Sequence, residues 1–474
     1  MKRVMTIGGS DSSSGAGIQA DIKTFSALGV YGTSVLTAIT AQNSYGVQAK
    51  QEVPVELVET QIESIMNDEG FAVDYAKTGM LYSAAMIEVV AKELKRHKIP
   101  FVLDPVLKAG SGGILLEDNA LSTLIELLLP ICVVITPNVP EACFISGLEI
   151  RDKEDAKESA QKIHKMGASA VIIKGGHLEH EIAAGKATDL IYDGAFEEIS
   201  SAYIKNRSFK KKALPKKHHT LYTAEKEKRV HGAGCSFSAA LTAELAKGKN
   251  LRDAALSAKK FVHDAISGGE DLSDLIVVNQ VYRLWKDADR YRVLENVKEA
   301  VRMLKSTKNF GKLIPEVGTN IGMAMEAAES EHDVAAVDGR IVLTKEGTHA
   351  GQVDFGVSGH VARLILAMMK QDQAKRSAAN VKYSSKIIEA CKKAGFLISS
   401  FEREKEPAGE KTMDWGVREA VRNLFLALPR EKAGLLPDVI FDHGAVGREP
   451  MVRIFGNTAV EVAEKVKRIV ENLE

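Results

Sequence analysis

The sequence predicts an α/β protein of two domains, an N-terminal α/β/α sandwich built on a mostly parallel sheet and a smaller mixed α/β domain behind it. Three observations carry this. The chain has 474 residues, more than one hydrophobic core usually organises. Short apolar runs alternate with amphipathic stretches through the first half, the order of βαβ units. Between Asp271 and Asp289 that alternation stops, and a charged helical rhythm begins with RLWKDADRYRVLENVKEAVRMLK.

In chain order, residues 3–7, 34–40, 75–78, 101–105, 133–136 and 170–174 are apolar runs of strand length. Between them, residues 54–65, 83–95, 119–128 and 153–166 carry apolar side chains at three- and four-residue spacing, the mark of amphipathic helices. In such a sheet, ligand loops fall at the carboxyl ends of the strands. We expect a first domain over residues 1–270, a linker over 271–289 with the boundary near 285, and a second domain over 290–474. Residues 335–343 read as a hairpin around Asp338-Gly339. Residues 205–229, with KKK, KKHH and EKEKR, read as a solvated, mobile excursion.

Composition narrows the function. Sixty-three Lys+Arg balance 63 Asp+Glu, so no global field recruits nucleic acid or a membrane surface. The N-terminal MKRVMTIGGS lacks the apolar core of a secretory signal. The most apolar stretch, residues 124–135, contains Glu126 and Pro130 and is too short for a membrane span. Four scattered cysteines form no CxxC pair, which fits a reducing cytoplasm. Partners are therefore expected to be small molecules, and the assembly a homo-oligomer.

Three motifs carry chemistry. GGSDSSSGAGIQAD, residues 8–21, follows a strand and opens a helix; it is neither a Walker A loop nor GxGxxG. HGAGCSFSAALTAEL, residues 231–245, runs a glycine turn into a helix, where free amides make an anion hole for a transferring phosphoryl group. Cys235 sits at that helix start, a position expected to lower a thiol pKa. Asn138-Val-Pro-Glu141, with Asp104 and Lys174 at two further strand ends, supplies oxygens for Mg²⁺ reached through water and a cation for phosphate. Taken singly, Asn138 is also a turn residue and Glu141 a first-turn helix acid.

At these residues the chain resembles the hydroxymethylpyrimidine and phosphomethylpyrimidine kinases of thiamine biosynthesis, members of the ribokinase-like superfamily. The matching stretches are GGSDSSSGAGIQADIKTFSALGVYG, TAITAQNSYGVQ, KTGML, DPV, ITPNVPEA, KGGH and HGAGCSFSAA, across roughly residues 1–270. The resemblance implies ATP-dependent phosphorylation of a pyrimidine alcohol and then of its monophosphate. It implies Gly9, Asp21, Gln42 and Met80 around the pyrimidine, and Asp104, Asn138, Glu141 and Lys174 around Mg-ATP, with Asp104, Asn138 and Glu141 toward the metal. Gly232, Ala233, Gly234 and Cys235 become the anion hole, with Cys235 and Lys174 catalytic. Three departures stand out: Asp11-Ser-Ser-Ser-Gly15 where the family has Asp-Pro-Ser-Gly-Gly, Ala233 where it has threonine, and the basic excursion at 205–229 where it has a shorter link into His231.

From about Ala300 onward, PEVGTNIGMAM, AVDGRIVLTKEG, FGVSGHVARLIL, MDWGVREAV and DHGAVGREPMVRIFG resemble the ThiN-type thiamine-phosphate synthase domain. The implied reaction joins hydroxymethylpyrimidine diphosphate to thiazole phosphate and releases pyrophosphate. Such chemistry needs cations around two phosphorylated ligands, and Arg340, His360, Arg363 and Arg448 are the candidates, with Arg340 and His360 catalytic. Two alternatives remain open at this point: a pyridoxal-type kinase in the first domain, and a non-catalytic sensor of thiamine phosphates in the second.

Overall fold

The computed structural model describes all residues except 108–114, 118, 177–181, 205–207, 210–225, 228, 273–274, 408, 410–411, 429–433 and 474, and at 208–209 and 226–227 only the backbone. It divides into two units, Met1–Leu284 and Trp285–Glu474. Among the described residues no helix is long and apolar enough to cross a membrane.

The first unit is built on nine strands: β1 (Arg3–Asp11), β2 (Tyr31–Asn43), β3 (Gly46–Glu52), β4 (Tyr75–Thr78), β5 (Phe101–Leu103), β6 (Val134–Ile135), β7 (Val171–Ile173), β8 (Lys186–Tyr192) and β9 (Phe196–Ala202). They lie in the order β3-β2-β1-β4-β5-β6-β7-β8-β9. Pairing is parallel from β2 through β7 and antiparallel at both margins, β2 with β3 and β7 through β9. Because successive side chains point to opposite faces, Phe101, Leu103, Ile135, Val171 and Ile173 enter one core, while Val102, Val134 and Ile172 enter another. Helices cover both faces, as a sheet buried on both sides requires.

On the first face lie α2 (Val55–Met66), α3 (Ala84–Arg96), α4 (Ala120–Leu127), α5 (Val139–Ser146) and α6 (Lys153–Lys165), whereas α1 (Gly17–Ala27) packs on the other against the helix Ala233–Ala246. Local capping sets several boundaries: the Ser83 hydroxyl accepts from the Met86 amide, and Asp152 accepts from Glu154 and Asp155. α7 (Ala233–Ala246) is buried almost all round, which explains its alanine and serine content: small side chains let it approach the sheet and its neighbour α8 (Leu251–Ser267) closely.

One expectation changes here. Residues 271–289 are not a linker: they hold part of the strand Glu270–Leu272, the strand Leu275–Val277, and the start of the helix Tyr282–Ser306. Leu275–Val277 pairs in parallel with Arg229–His231, so this stretch braces the entry to α7. The excursion at 205–229 falls mostly outside the described residues; within it, Ser208–Phe209 and Lys226–Glu227 pair antiparallel.

In the second unit, a seven-stranded sheet is mostly antiparallel, with one parallel pair between Ile398–Ser400 and Val439–Asp442. Ile321, Val381, Val452 and Ile454 face one core with helices Tyr282–Ser306, Ser385–Lys393 and Ala459–Glu471. Ala378, Ile440 and Phe455 face the other with helices Gly359–Met369 and Thr412–Ala427. The hairpin expected at 335–343 does not form. Gly339 does turn the chain, at φ 71°, but Val334–Val337 pairs within the large sheet, whereas Ile341–Thr344 pairs with Gly347–Ala350 in a separate ribbon. Cross-strand partners decided which neighbouring strands join, and a turn dipeptide cannot specify those.

Candidate active sites

In the first unit, the carboxyl ends of the parallel strands and the N-termini of α1 and α7 enclose a cavity of about 750 Å³. Gly232 precedes α7 with φ 90°, and a Cβ there would collide with the Gly15 carbonyl oxygen, so only glycine permits this approach. The first intrahelical bond runs from the Ser236 amide to the Gly232 carbonyl. The amides of Ala233, Gly234 and Cys235 therefore have no helical partner, and all three residues line the cavity. A Cβ at Gly234 would lie 3.3 Å from the Lys174 amine, which places that cation beside the free amides.

Behind them runs a buried charge chain. Lys174 donates to Asp104 at 3.0 Å, and the other Asp104 oxygen accepts from Ser238 at 3.0 Å and lies 3.7 Å from Lys77. Lys77 donates to both Asp21 oxygens at 2.9 Å, and Thr6 donates to Asp21 at 2.6 Å. Desolvation works against the charged Lys77 amine, yet Asp21, Cys235 and Asp104 outweigh it and raise its pKa. At Lys174 desolvation is likewise overcome by Asp104 and Glu141. Asp21 goes the other way, raised because its desolvation exceeds the attraction of Lys77.

Cys235 overturns an expectation. Desolvation, with Asp104 and Asp21 nearby, pushes its thiol up to about 11 despite Lys77 and a bond from the Gly17 amide. The helix terminus that should depress it is outweighed by burial among carboxylates. Asn138 and Glu141 form a reciprocal capping box at the start of α5: the Glu141 amide donates to Asn138 at 2.8 Å, and the Asn138 amide donates to Glu141 at 2.8 Å. Desolvation raises the Glu141 carboxyl to about 7, Lys174 opposing and Asp104 adding to the rise.

In the same cavity, Gly9 lies against Met80, a Cβ there falling 2.8 Å from the Met80 sulfur. Gln42 is nearly buried, 3.3 Å from His231. All the kinase-side candidates, Gly9, Asp21, Gln42, Met80, Asp104, Asn138, Glu141, Lys174 and residues 232–235, line this one cavity. The sequence reading passed over Lys77, Asp11, His231 and Ser238. A lysine ending an apolar strand before Thr-Gly-Met was the available signal for the first.

In the second unit, Arg340, His360, Arg363 and Arg448 share a cavity of about 580 Å³. Two further arginines, Arg403 and Arg453, line it as well. Asp442 holds both: Arg403 donates at 2.7 and 3.3 Å, and Arg453 lies 2.7 Å from the second oxygen. Desolvation would raise that carboxyl, but Arg453 and Arg403 pull it below its ordinary value. His360 opens the helix Gly359–Met369, whose first amides are free, the first return bond being Ala362 to Ser358. Desolvation, then Arg453, Arg340 and Arg363, lower the imidazole to about 4. Arg453 was missed because a buried cation inside MVRIFG looks like an interruption of a strand, whereas Asp442 is what makes its burial tolerable.

A helix-capped anion hole at the edge of a parallel sheet, facing a small-molecule pocket, defines the first unit as a small-molecule kinase; the second is an arginine-lined site for anionic ligands. Residues 11–277 match the model of the phosphomethylpyrimidine kinase family, and residues 296–468 that of the thiamine-phosphate synthase ThiN. The chain belongs to the phosphomethylpyrimidine kinase family, joined in one polypeptide to a ThiN-type thiamine-phosphate synthase, and is a bifunctional enzyme of thiamine biosynthesis. It is 33% identical over 468 residues to the bifunctional thiamine biosynthesis protein ThiDN of Methanocaldococcus jannaschii, covering 98% of each chain. It is 42% identical over 266 residues to the hydroxymethylpyrimidine/phosphomethylpyrimidine kinase of Bacillus subtilis, covering 56% of this chain and 89% of that one. Among solved structures, an ADP complex of Bacillus subtilis pyridoxal kinase is 38% identical with a TM-score of 0.50, covering 60% of this chain and 99% of that one.

Proposed function

We propose that the first cavity transfers the γ-phosphoryl group of ATP to hydroxymethylpyrimidine and then to its monophosphate, and that the second joins the diphosphate to thiazole phosphate. The observation that carries the kinase assignment is the convergence of the free amides of residues 233–235, Lys174 and Cys235 with Gln42 and Met80 in one cavity. The pyrimidine lies between Gly9, Gln42 and Met80, its alcohol toward Cys235. The amides receive the transferring group, which gathers charge on its equatorial oxygens, and Lys174 offsets the charge of the nucleotide phosphates. Phosphoryl transfer of this kind asks for positioning more than for a strong base. A neutral thiol at Cys235 serves both an alcohol and a phosphate monoester, where a carboxylate would repel the second.

Mg²⁺ fits as a water-bridged ion. Asp104 is bonded to Lys174 and Ser238, and one oxygen of Glu141 to its cap, so these residues would hold the ion through water rather than by a full set of direct bonds. When bound, it neutralises phosphate charge beside Asp104 and Glu141. Asp21 supports the site from below, since Lys77 and Thr6 occupy its oxygens.

In the second cavity, the arginines bind both phosphorylated substrates and stabilise the departing diphosphate. His360, unprotonated at neutral pH, acts there as a hydrogen-bonding group. Four unpaired cysteines support a cytoplasmic setting.

The pyridoxal kinase likeness favours a second reading, in which pyridoxal is the alcohol. The decisive experiment incubates purified chain with Mg-ATP, thiazole phosphate and either alcohol, and identifies products by mass. Pyrimidine mono- and diphosphate followed by thiamine phosphate are expected. Pyridoxal phosphate as the sole product would overturn the kinase assignment, and diphosphate accumulating without thiamine phosphate would make the second unit a sensor.

A further inference from the structure

The kinase cavity contains a buried acid and imidazole that the proposed phosphoryl transfer does not use. His231, 4% exposed, places Nε2 at 3.0 Å from the Oδ2 of Asp11. The same Nε2 lies 3.3 Å from the side-chain nitrogen, Nε2, of Gln42. The other oxygen of Asp11 accepts from the Ser13 amide and hydroxyl at 2.9 and 2.7 Å, and Oδ2 also accepts from the Ala16 amide at 2.8 Å. Desolvation pushes this carboxyl up, but His231, Ser13 and Ala16 outweigh it and bring it down to about 2, so it is an anion at working pH. An ionised carboxylate only accepts hydrogen bonds. His231 must therefore carry its proton on Nε2, whether the ring is neutral or charged.

With His231 Nε2 carrying the proton that Asp11 accepts, the Gln42 nitrogen beside it sets donor against donor. Exchanging the oxygen and nitrogen of the amide removes that conflict, turning the carbonyl oxygen toward His231 and the NH₂ away from it. The backbone of Gln42 is fixed independently, its amide donating to the Ser12 hydroxyl at 2.8 Å and its carbonyl accepting from it at 2.9 Å. With the main chain pinned and one end of the amide occupied, the side chain has a single presentation.

We propose that Asp11 and His231 are a positioning pair that orients the Gln42 amide with its NH₂ toward the substrate, selecting a heterocycle that offers an unprotonated acceptor, such as a ring nitrogen, at that edge. This rests on the assignment of the first cavity as the alcohol site. Because His231 directly precedes the Gly232 turn, the pair also ties the recognition of the ring to the strand that carries the anion hole.

A double-mutant cycle tests it. His231→Phe keeps a planar ring against Gly15 and removes the N–H; we expect the KM for the pyrimidine alcohol to rise about tenfold, the worth of one misdirected buried hydrogen bond, with the KM for ATP changed less than about twofold. In a Gln42→Met background the same substitution should leave the alcohol KM unchanged, because the amide it acts through is gone. Equal effects in both backgrounds, or a parallel rise in the ATP KM, overturn the proposal. On the unaltered chain, ¹⁵N shifts of His231 should show Nε2 protonated; an Nε2 without its proton overturns the proposal even where the variant does not fold. A chain that phosphorylates pyridoxal and not the pyrimidine overturns the site assignment instead, and the same cycle on pyridoxal then decides the pair.

Discussion

Replacing Asp442 by asparagine removes one negative charge from between two buried arginines. Asp442 is fully buried and Arg453 is 1% exposed, so neither charge can recover its hydration by a small movement. Asparagine keeps the shape and can still accept one bond, but it leaves Arg403 and Arg453 uncompensated in a cavity that already holds Arg340, Arg363 and Arg448. Breaking a buried pair from one side costs about 3–5 kcal/mol. At roughly 2–4 °C per kcal/mol for a unit of this size, the synthase half should inactivate about 6–20 °C lower. Brief heat pulses followed by separate kinase and synthase assays read this directly, the kinase half serving as the internal reference. The carboxyl is depressed in the folded state, so its contribution is complete above the ordinary aspartate pKa and is lost as pH falls through the folded value. The variant's deficit should therefore be full at pH 7 and shrink in acid. An Asp442→Asn protein with an unchanged synthase midpoint at pH 7 would refute the assignment of this ion pair as the support of the cavity.

Three further outcomes are expected. With its thiol pushed up to about 11, Cys235 should react slowly with iodoacetamide at pH 7.5, and Cys235→Asp should impair the second phosphoryl transfer more than the first; equal losses by product mass would remove that rationale. Glu141→Ala should lower the stability of the kinase unit by about 1 kcal/mol through loss of the cap, whereas Glu141→Gln, which can keep the cap, should mainly raise the Mg²⁺ needed for half-maximal rate; an unchanged Mg²⁺ titration counts against the metal role. His360, lowered to about 4, is unprotonated in the fold while the unfolded chain binds a proton below about pH 6.5. Synthase stability should thus fall as pH drops from about 6.5 to 4, and His360→Gln should flatten that slope in heat-inactivation midpoints.

The parallel core was legible because each strand is a short apolar run buried on both faces, and the helices between carry a clear period. Glycine turns leading into helices revealed the anion hole for the same local reason: Gly232 needs its conformation whatever surrounds it. Residues whose function depends on partners distant in the chain were not legible. Lys77 finds Asp21, His231 finds Asp11 across 220 positions, and Arg403 finds Asp442 only when strands from separate parts of the second unit align.

By itself, then, the sequence determined the order of the parallel strands and the helices between them in the first unit, the glycine-bearing helix starts and the residue types at the two sites; the antiparallel margins Gly46–Glu52, Lys186–Tyr192 and Phe196–Ala202 were not legible. Tertiary structure decided the charge states and the cross-strand choices. Cys235 lies at a helix terminus that favours a thiolate, yet burial between Asp21 and Asp104 holds it as a thiol. Asp338-Gly339 turns the chain as its residues require, yet the strands on either side join different sheets. The physical reason is range: backbone conformation and hydrophobic period act over a few neighbouring residues, whereas desolvation, ion pairing and strand register depend on what the completed fold brings alongside.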